Sequence, residues 1–240
     1  EISIMAINAG DTTYYQAKRG IVQDGLVLNL DAAVDQSYPG NGTAWHDLAG
    51  SNSGTLTNGA TFDRDNGGNI FLDGTDDRIA IPDSNGDFDI GTGDFSICLW
   101  FYFPYQHPHS YIHFFSFDYQ NNFAFKAGDS AHGPRAIYFY GSAAYRSYIG
   151  DFGTWNVQMD TWQYICLTRS GSTHKAYFDG QLIGSASISP KDLSCSTAYI
   201  GYGHSSEFTI QKRGLTKFYN RELSSDEILQ NYNATKRRFE

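Results

Sequence analysis

Apolar and polar residues alternate strictly over Phe95-Ser96-Ile97-Cys98-Leu99-Trp100-Phe101-Tyr102. A period of two is that of a strand, and it sets Phe95, Ile97, Leu99 and Phe101 on one face and Ser96, Cys98, Trp100 and Tyr102 on the other. Further on, the apolar runs Ala176-Tyr177-Phe178 and Leu182-Ile183 flank an Asp179-Gly180 pair. Asp-Gly accepts the two positive φ angles of a type I′ turn, so this stretch reads as a tight hairpin. The same grammar predicts a first strand over residues 25–31 and two strand-like pieces around Asp73-Gly74. Further strands fit 111–118, 122–127, 135–141, 161–169, 174–179, 181–187, 197–202 and 213–219. Many short strands separated by turn signals predict an all-β, antiparallel two-sheet sandwich of jelly-roll type, or a barrel.

Two regions break the pattern. Residues 1–24 carry one strand-like run, Ile2 to Ile7, followed by a polar stretch, and read as an N-terminal arm that packs on a neighbour or on the domain itself. The domain proper is then 25–240. Residues 35–60, rich in Gly, Asn, Ser and Thr, read as a long surface loop with little regular structure. One helix is specified near the C-terminus. Ser224 and Glu227 form a capping box, Leu223 and Ile228 a hydrophobic staple, and Ile228, Leu229 and Tyr232 one apolar stripe.

Composition narrows the function. Aromatics make up 16% of 240 residues, with 17 Tyr and 17 Phe, which suits pleated and half-buried surfaces. A net charge of −9 argues against gripping a nucleic-acid backbone. The short basic run Lys236-Arg237-Arg238 reads as favourable charge at a helix C-terminus. No apolar run reaches the length of a membrane span, so no membrane insertion is expected. Three cysteines suit neither a disulfide framework nor a four-ligand zinc site.

Catalytic patterns are missing. The Glu-x-Asp-x-x-Glu strand, which would set a nucleophile and a general acid on one face, does not occur. Asp63-Arg64-Asp65 and Asp87-Phe88-Asp89 have a two-residue spacing but lie among Gly and Asn, as turn carboxylates do. There is no Gly-x-Ser-x-Gly elbow, phosphate loop or His-Glu-x-x-His helix. His107, His109 and His113 are the densest histidine group and read as part of a polar loop. The reading is of a protein that is not an enzyme, with no catalytic residue and no metal ligand assigned.

The order of five segments resembles the laminin-G-like, concanavalin A-type jelly rolls. They are Phe71-Leu72-Asp73-Gly74-Thr75-Asp76-Asp77, Phe95-Ser96-Ile97-Cys98-Leu99-Trp100, Trp162-Gln163-Tyr164-Ile165, Tyr177-Phe178-Asp179-Gly180, and Tyr219-Asn220-Arg221-Glu222-Leu223-Ser224. Together they span nearly the whole chain. The opening Asp24-Gly25-Leu26-Val27-Leu28-Asn29-Leu30-Asp31 and the closing Leu229-Gln230-Asn231-Tyr232-Asn233-Ala234-Thr235-Lys236 are similar to versions of this domain in bacteriophage, especially marine phage, structural proteins.

The resemblance implies a non-enzymatic decoration, fibre or adhesion protein on a virion surface. Its implied partners are other virion proteins, copies of itself and surface glycans. The alternative is a stand-alone carbohydrate-binding lectin domain on a bacterial surface or outside the cell, with a glycan hydrolase or lyase less favoured. Cys98 and Cys166 lie in strands that resemble the two that pentraxins join by a disulfide. That pairing and a pair of buried thiols both stay open, and Cys195 has no evident partner.

The resemblance also raises calcium, which these relatives often bind. Asn121 stands where the pentraxin loop carries an acid, and the loop around Glu207 holds only one acid, too few for a pentraxin-style double site. Asp73, Asp76 and Asp77 form a separate acidic cluster, read as turn caps more than as a structural calcium site. No cofactor is expected. For a glycan the expected contacts are loop aromatics with polar neighbours: Tyr119, Tyr148 and Trp155 with Asn121, Asn122 and Arg146.

Overall fold

A computed structural model describes residues 20–104, 112–118, 123–129, 133–140, 146–151, 159–203 and 207–240; for 129, 133–140, 146–148, 150 and 151 it describes the backbone alone. Strands β1 (Leu26–Asp31), β2 (Ala44–Trp45), β3 (Gly54–Thr57), β4 (Thr61–Asp63), β5 (Asn69–Asp73) and β6 (Arg78–Pro82) come first. The middle of the chain forms β7 (Phe95–Tyr102), β8 (Ile112–Phe117), β9 (Phe123–Asp129), β10 (Gly133–Tyr140) and β11 (Arg146–Asp151). Then follow β12 (Trp162–Ser170), β13 (Thr173–Phe178), β14 (Gln181–Ser187), β15 (Thr197–Ile200), β16 (Ile210–Tyr219) and the helix α1 (Ser225–Thr235).

All pairings of these strands are antiparallel, in two sheets. The first sheet runs β14-β13-β12-β7-β16-β5-β4, with β1 also on β16; the second runs β11-β10-β9-β8-β15-β6-β3-β2. This is the expected two-sheet sandwich. The edge strands β11 and β14 pack beside each other, so β4 and β2 lie towards the opposite edge.

The alternation along β7 is what builds the interior. Phe95, Ile97, Leu99 and Phe101 enter the core between the sheets, among Phe88, Phe114, Phe117 and Phe218. Cys98 and Trp100 enter a second cluster on the outer face with Tyr164, Cys166, Tyr177, Tyr219, Ile228 and Phe239. Both faces of this strand are dry because α1 and the C-terminal tail cover the outer one.

The helix begins as its sequence dictates. Ser224 is the N-cap, its hydroxyl accepts from the Glu227 amide, and the Glu227 carboxylate accepts from the Ser224 amide. Ile228 is fully buried, while Leu229 and Tyr232 lie over the Asp179-Gly180 turn. That turn has φ of 47° at Asp179 and 79° at Gly180, as a type I′ turn requires. A Cβ at Gly180 would come within 2.9 Å of Leu229, so glycine serves both the turn and the docking of the helix.

Three expectations need correction. Residues 35–60 are not a structureless loop: they supply β2 and β3, and Tyr38, Trp45 and Leu56 are buried in the main core. Low apolar content hid them because the strands are short and the loop is closed by side chains, Ser37 Oγ donating to the His46 carbonyl at 2.6 Å. Histidine 113 is not in a loop but is fully buried in β8. The basic run does not simply complement the helix dipole. Arg238 pairs with Asp31 and donates to the carbonyls of Asn66, Gly68 and Gly214, clamping the tail to the loop after β4.

Of the expected arm, residues 1–19 lie outside the described residues. Its last part packs on the domain. The Val22 amide donates to Asn231 Oδ1 at 2.8 Å, and Tyr219 donates to the Val22 carbonyl at 3.1 Å.

Candidate functional site

Among the described residues, a concave feature lies near the β4 edge. It is a cleft of about 590 Å³ bordered by Asp35, Tyr38, Pro39, Gly40, Phe62 and Arg64, with Ala32 and Gly67 behind. Such a volume lies in the range of small-ligand sites.

The local sequence explains each wall. After β1 the chain winds tightly, with the Ser37 and Tyr38 amides both donating to the Val34 carbonyl at 2.8 Å. This turns Tyr38 inward, where its hydroxyl donates to the Gly42 carbonyl at 2.7 Å, and leaves Asp35 exposed at the rim. Burial raises the Tyr38 phenol above its ordinary range, so it stays a neutral donor. The opposite wall comes from β4, where Phe62 is half-buried and its ring centroid lies 5.1 Å from that of Tyr38. Beyond β4 the chain reverses through Asn66, Gly67 and Gly68, all at positive φ. Asn66 holds this reversal by accepting from Trp162 Nε1 at 2.9 Å and donating to the Arg238 carbonyl at 3.0 Å.

The charges around the cleft divide into two kinds. Asp31 is paired with Arg238, and Asp63 with Lys212 at 2.7 Å, which holds the Asp63 carboxyl below its usual range. Asp35 and Arg64, both exposed, make no such bond to the described residues. The cleft therefore offers one anion, one cation and an aromatic edge to a ligand.

The acidic cluster is a second candidate. One oxygen each from Asp73, Asp76 and Asp77 lies within 4.8 Å of the others. Asp77 is buried, accepts from the Asp73 amide at 3.0 Å, and has its carboxyl pushed up, first by burial. Asp73 caps the Thr75 amide at 2.7 Å. The Asp73 and Asp77 carboxylates thus act as turn caps between β5 and β6.

The expected glycan contacts fall elsewhere. Tyr119, Asn121, Asn122 and Trp155 lie outside the described residues. Arg146 and Tyr148 belong to β11, at the other edge of the sandwich from the cleft, in register with Tyr140 and Tyr138 of β10. That register continues through Ala124 and Lys126 of β9 to Ser116 and His113 of β8. His113 is held there by Glu207, 2.9 Å away, and by its backbone amide, which donates to Thr209 Oγ1 at 3.0 Å. Cys98 and Cys166 face each other on β7 and β12 with Cα atoms 4.1 Å apart and are joined as a disulfide. Asp87 accepts from Asn52 at 2.7 Å, and Phe88 between the two aspartates fills the core, so that pair is structural.

Sequence reasoning missed Asp35, Phe62 and Arg64. Their signal was faint: an aromatic before Pro-Gly at 38–40 and a three-residue alternation at 61–63.

The concanavalin A-like lectin/glucanases superfamily profile matches residues 73–229, well over half of the chain. The chain belongs to that superfamily. No curated protein matches it. Among solved structures it is similar to Trypanosoma rangeli sialidase in complex with sialic acid, at 16% identity and TM-score 0.64, over 89% of this chain and 33% of that one. It is similar to the binding domain of Paraclostridial Mosquitocidal Protein 1, at 15% identity and TM-score 0.69, over 88% and 52%. It is also similar to domain 4 of AbnA, a GH43 extracellular arabinanase from Geobacillus stearothermophilus, in complex with arabinotriose, at 15% identity and TM-score 0.65, over 86% and 98%. The chain thus spans about a third of the sialidase. At these identities the likeness is one of fold.

Proposed function

We propose that this laminin-G-like domain is a non-enzymatic carbohydrate-binding module, displayed on a phage particle as a decoration, fibre or adhesion protein. The cleft of Phe62, Asp35 and Arg64 carries the glycan-binding part. An aromatic wall and unpaired polar side chains are what a sugar needs, since its ring offers apolar C–H faces and its hydroxyls both donate and accept. The lack of a Glu-x-Asp-x-x-Glu strand supports binding without hydrolysis. Domain 4 of AbnA, seen with arabinotriose, supports the same reading by analogy of fold. The particle assignment rests on the similarity of residues 24–31 and 229–236 to phage domains.

Binding to an array of immobilised glycans tests the first part, with reducing ends assayed in parallel. Retention without release of reducing ends is expected, and release abolished by one Asp or Glu substitution would overturn it. Antibody labelling of native particles tests the second. Label on bacterial surfaces and none on particles would favour the stand-alone lectin.

A further inference from the structure

We infer that the cleft near β4 selects neutral oligosaccharides, with Asp35 and Arg64 sharing the hydroxyls of one sugar residue and Phe62 taking its apolar face. This rests on the carbohydrate-binding reading above and names its ligand class.

Charge balance decides the class. A site for a sialic or uronic acid needs uncompensated positive charge, because bringing a carboxylate out of water is costly without a cation to meet it. Here Asp35 offsets Arg64 across the same cleft, Arg64 is flanked in sequence by Asp63 and Asp65, and the chain as a whole carries −9. The nearby Lys212 ammonium adds no free positive charge, because Asp63 engages it at 2.7 Å. A carboxylate entering would meet a field that is neutral at best.

A neutral sugar meets complementary partners instead. Vicinal hydroxyls donate to the Asp35 carboxylate, which only accepts, and accept from the Arg64 guanidinium, which only donates. Both groups satisfy their chemistry with one residue whose hydroxyls do both. Asp31 is committed to Arg238 and Asp63 to Lys212, whereas Asp35 and Arg64 make no such pair among the described residues.

The opening beside Phe62 is also built. Gly40 has φ of 83°, and a Cβ there would come within 3.4 Å of the Phe62 ring. Gly67, at φ of 79°, would place a Cβ 3.4 Å from Ala33. Both glycines line the cleft at positive φ, where the backbone itself disfavours a side chain.

The test is calorimetry and affinity electrophoresis of the whole chain against neutral arabino-, xylo- and gluco-oligosaccharides and against sialylated and uronate-containing ones. Neutral ligands are expected to bind, with affinity that hardly changes with salt. Asp35→Ala and Arg64→Ala, both at exposed positions, should each weaken binding about tenfold or more while leaving the thermal melt unchanged. Binding confined to acidic sugars and weakened by salt would overturn the inference and leave the carbohydrate reading standing. Neutral binding unaffected by either substitution would overturn the assignment to this cleft. Binding of no glycan in either class would overturn the carbohydrate reading itself.

Discussion

Two groups of aromatic rings in this molecule have opposite fates. On the outer face of the first sheet, Trp100 stacks on Phe239 with centroids 4.4 Å apart and on Tyr232 at 5.7 Å. Its indole N–H donates to Thr235 Oγ1 at 2.8 Å, so its polar edge is satisfied inside the fold. Near β4, Tyr38 and Phe62 also pack together, yet the charged groups beside them, Asp35 and Arg64, make no side-chain bond among the described residues. The rings alone do not mark a binding site; the difference lies in whether the polar neighbours are already used. A helix lies across the first group, and the second borders a cleft.

Substitution at the covered group should produce the largest effect. Trp100→Ala removes a nearly buried indole from beneath α1 and leaves a cavity, which typically costs about 3–5 kcal/mol. Chemical denaturation should show that loss, while the fraction still folded binds glycan with unchanged affinity. Weakened binding in the folded variant would mean that the helix side and the cleft are coupled, for instance through the Arg238 clamp on the Asn66–Gly68 loop.

At the cleft the ranking reverses. Phe62 is half-buried on an edge strand, so Phe62→Ala should cost about 1–2 kcal/mol of stability, less than full burial would imply. Glycan affinity should fall by about tenfold, as expected when the aromatic anchor of a small site is truncated. Calorimetry beside a melting curve separates the two quantities. A large drop in melting temperature with intact affinity would place Phe62 with the covered rings and remove the contrast.

The sequence made the first group legible and left the second nearly invisible, for a physical reason. Strict alternation over 95–102 and the capping box at Ser224 are local signals, and both appear where they were read. So does the type I′ turn at Asp179-Gly180 on which the helix rests. The cleft, by contrast, joins residues 35–40 to 62–67, and no period links them. They meet because β1 and β5 both pair with β16 and β4 pairs with β5, a matter of sheet order that local patterning does not contain. Gly and Asn around Tyr38 and Trp45 further masked two buried aromatics as surface loop.

The smallest expected effect tests how firmly the helix covers the outer group. Ser224→Ala deletes the N-cap hydroxyl and should cost about 1 kcal/mol at neutral pH. The other half of the box responds to acid. Hydrogen bonds from Arg221, at 2.6 and 3.0 Å, and then from the Ser224 amide hold the Glu227 carboxyl down at about 2, against a usual 4.5. A carboxyl lowered in the folded state adds stability that is fully present above about pH 4.5 and is lost as the pH falls towards 2. Glu227→Gln should therefore flatten the acid limb of the stability curve across that window. Ser224→Ala should keep most of that limb, because Arg221 is the larger cause of the shift. Denaturant midpoints measured from pH 7 down to pH 2 on both variants read this directly. Equal acid limbs in Glu227→Gln and the native protein would show that the Arg221–Glu227 pair does not hold the helix start, and that the cover over Trp100 depends on Phe239 and Tyr232 alone.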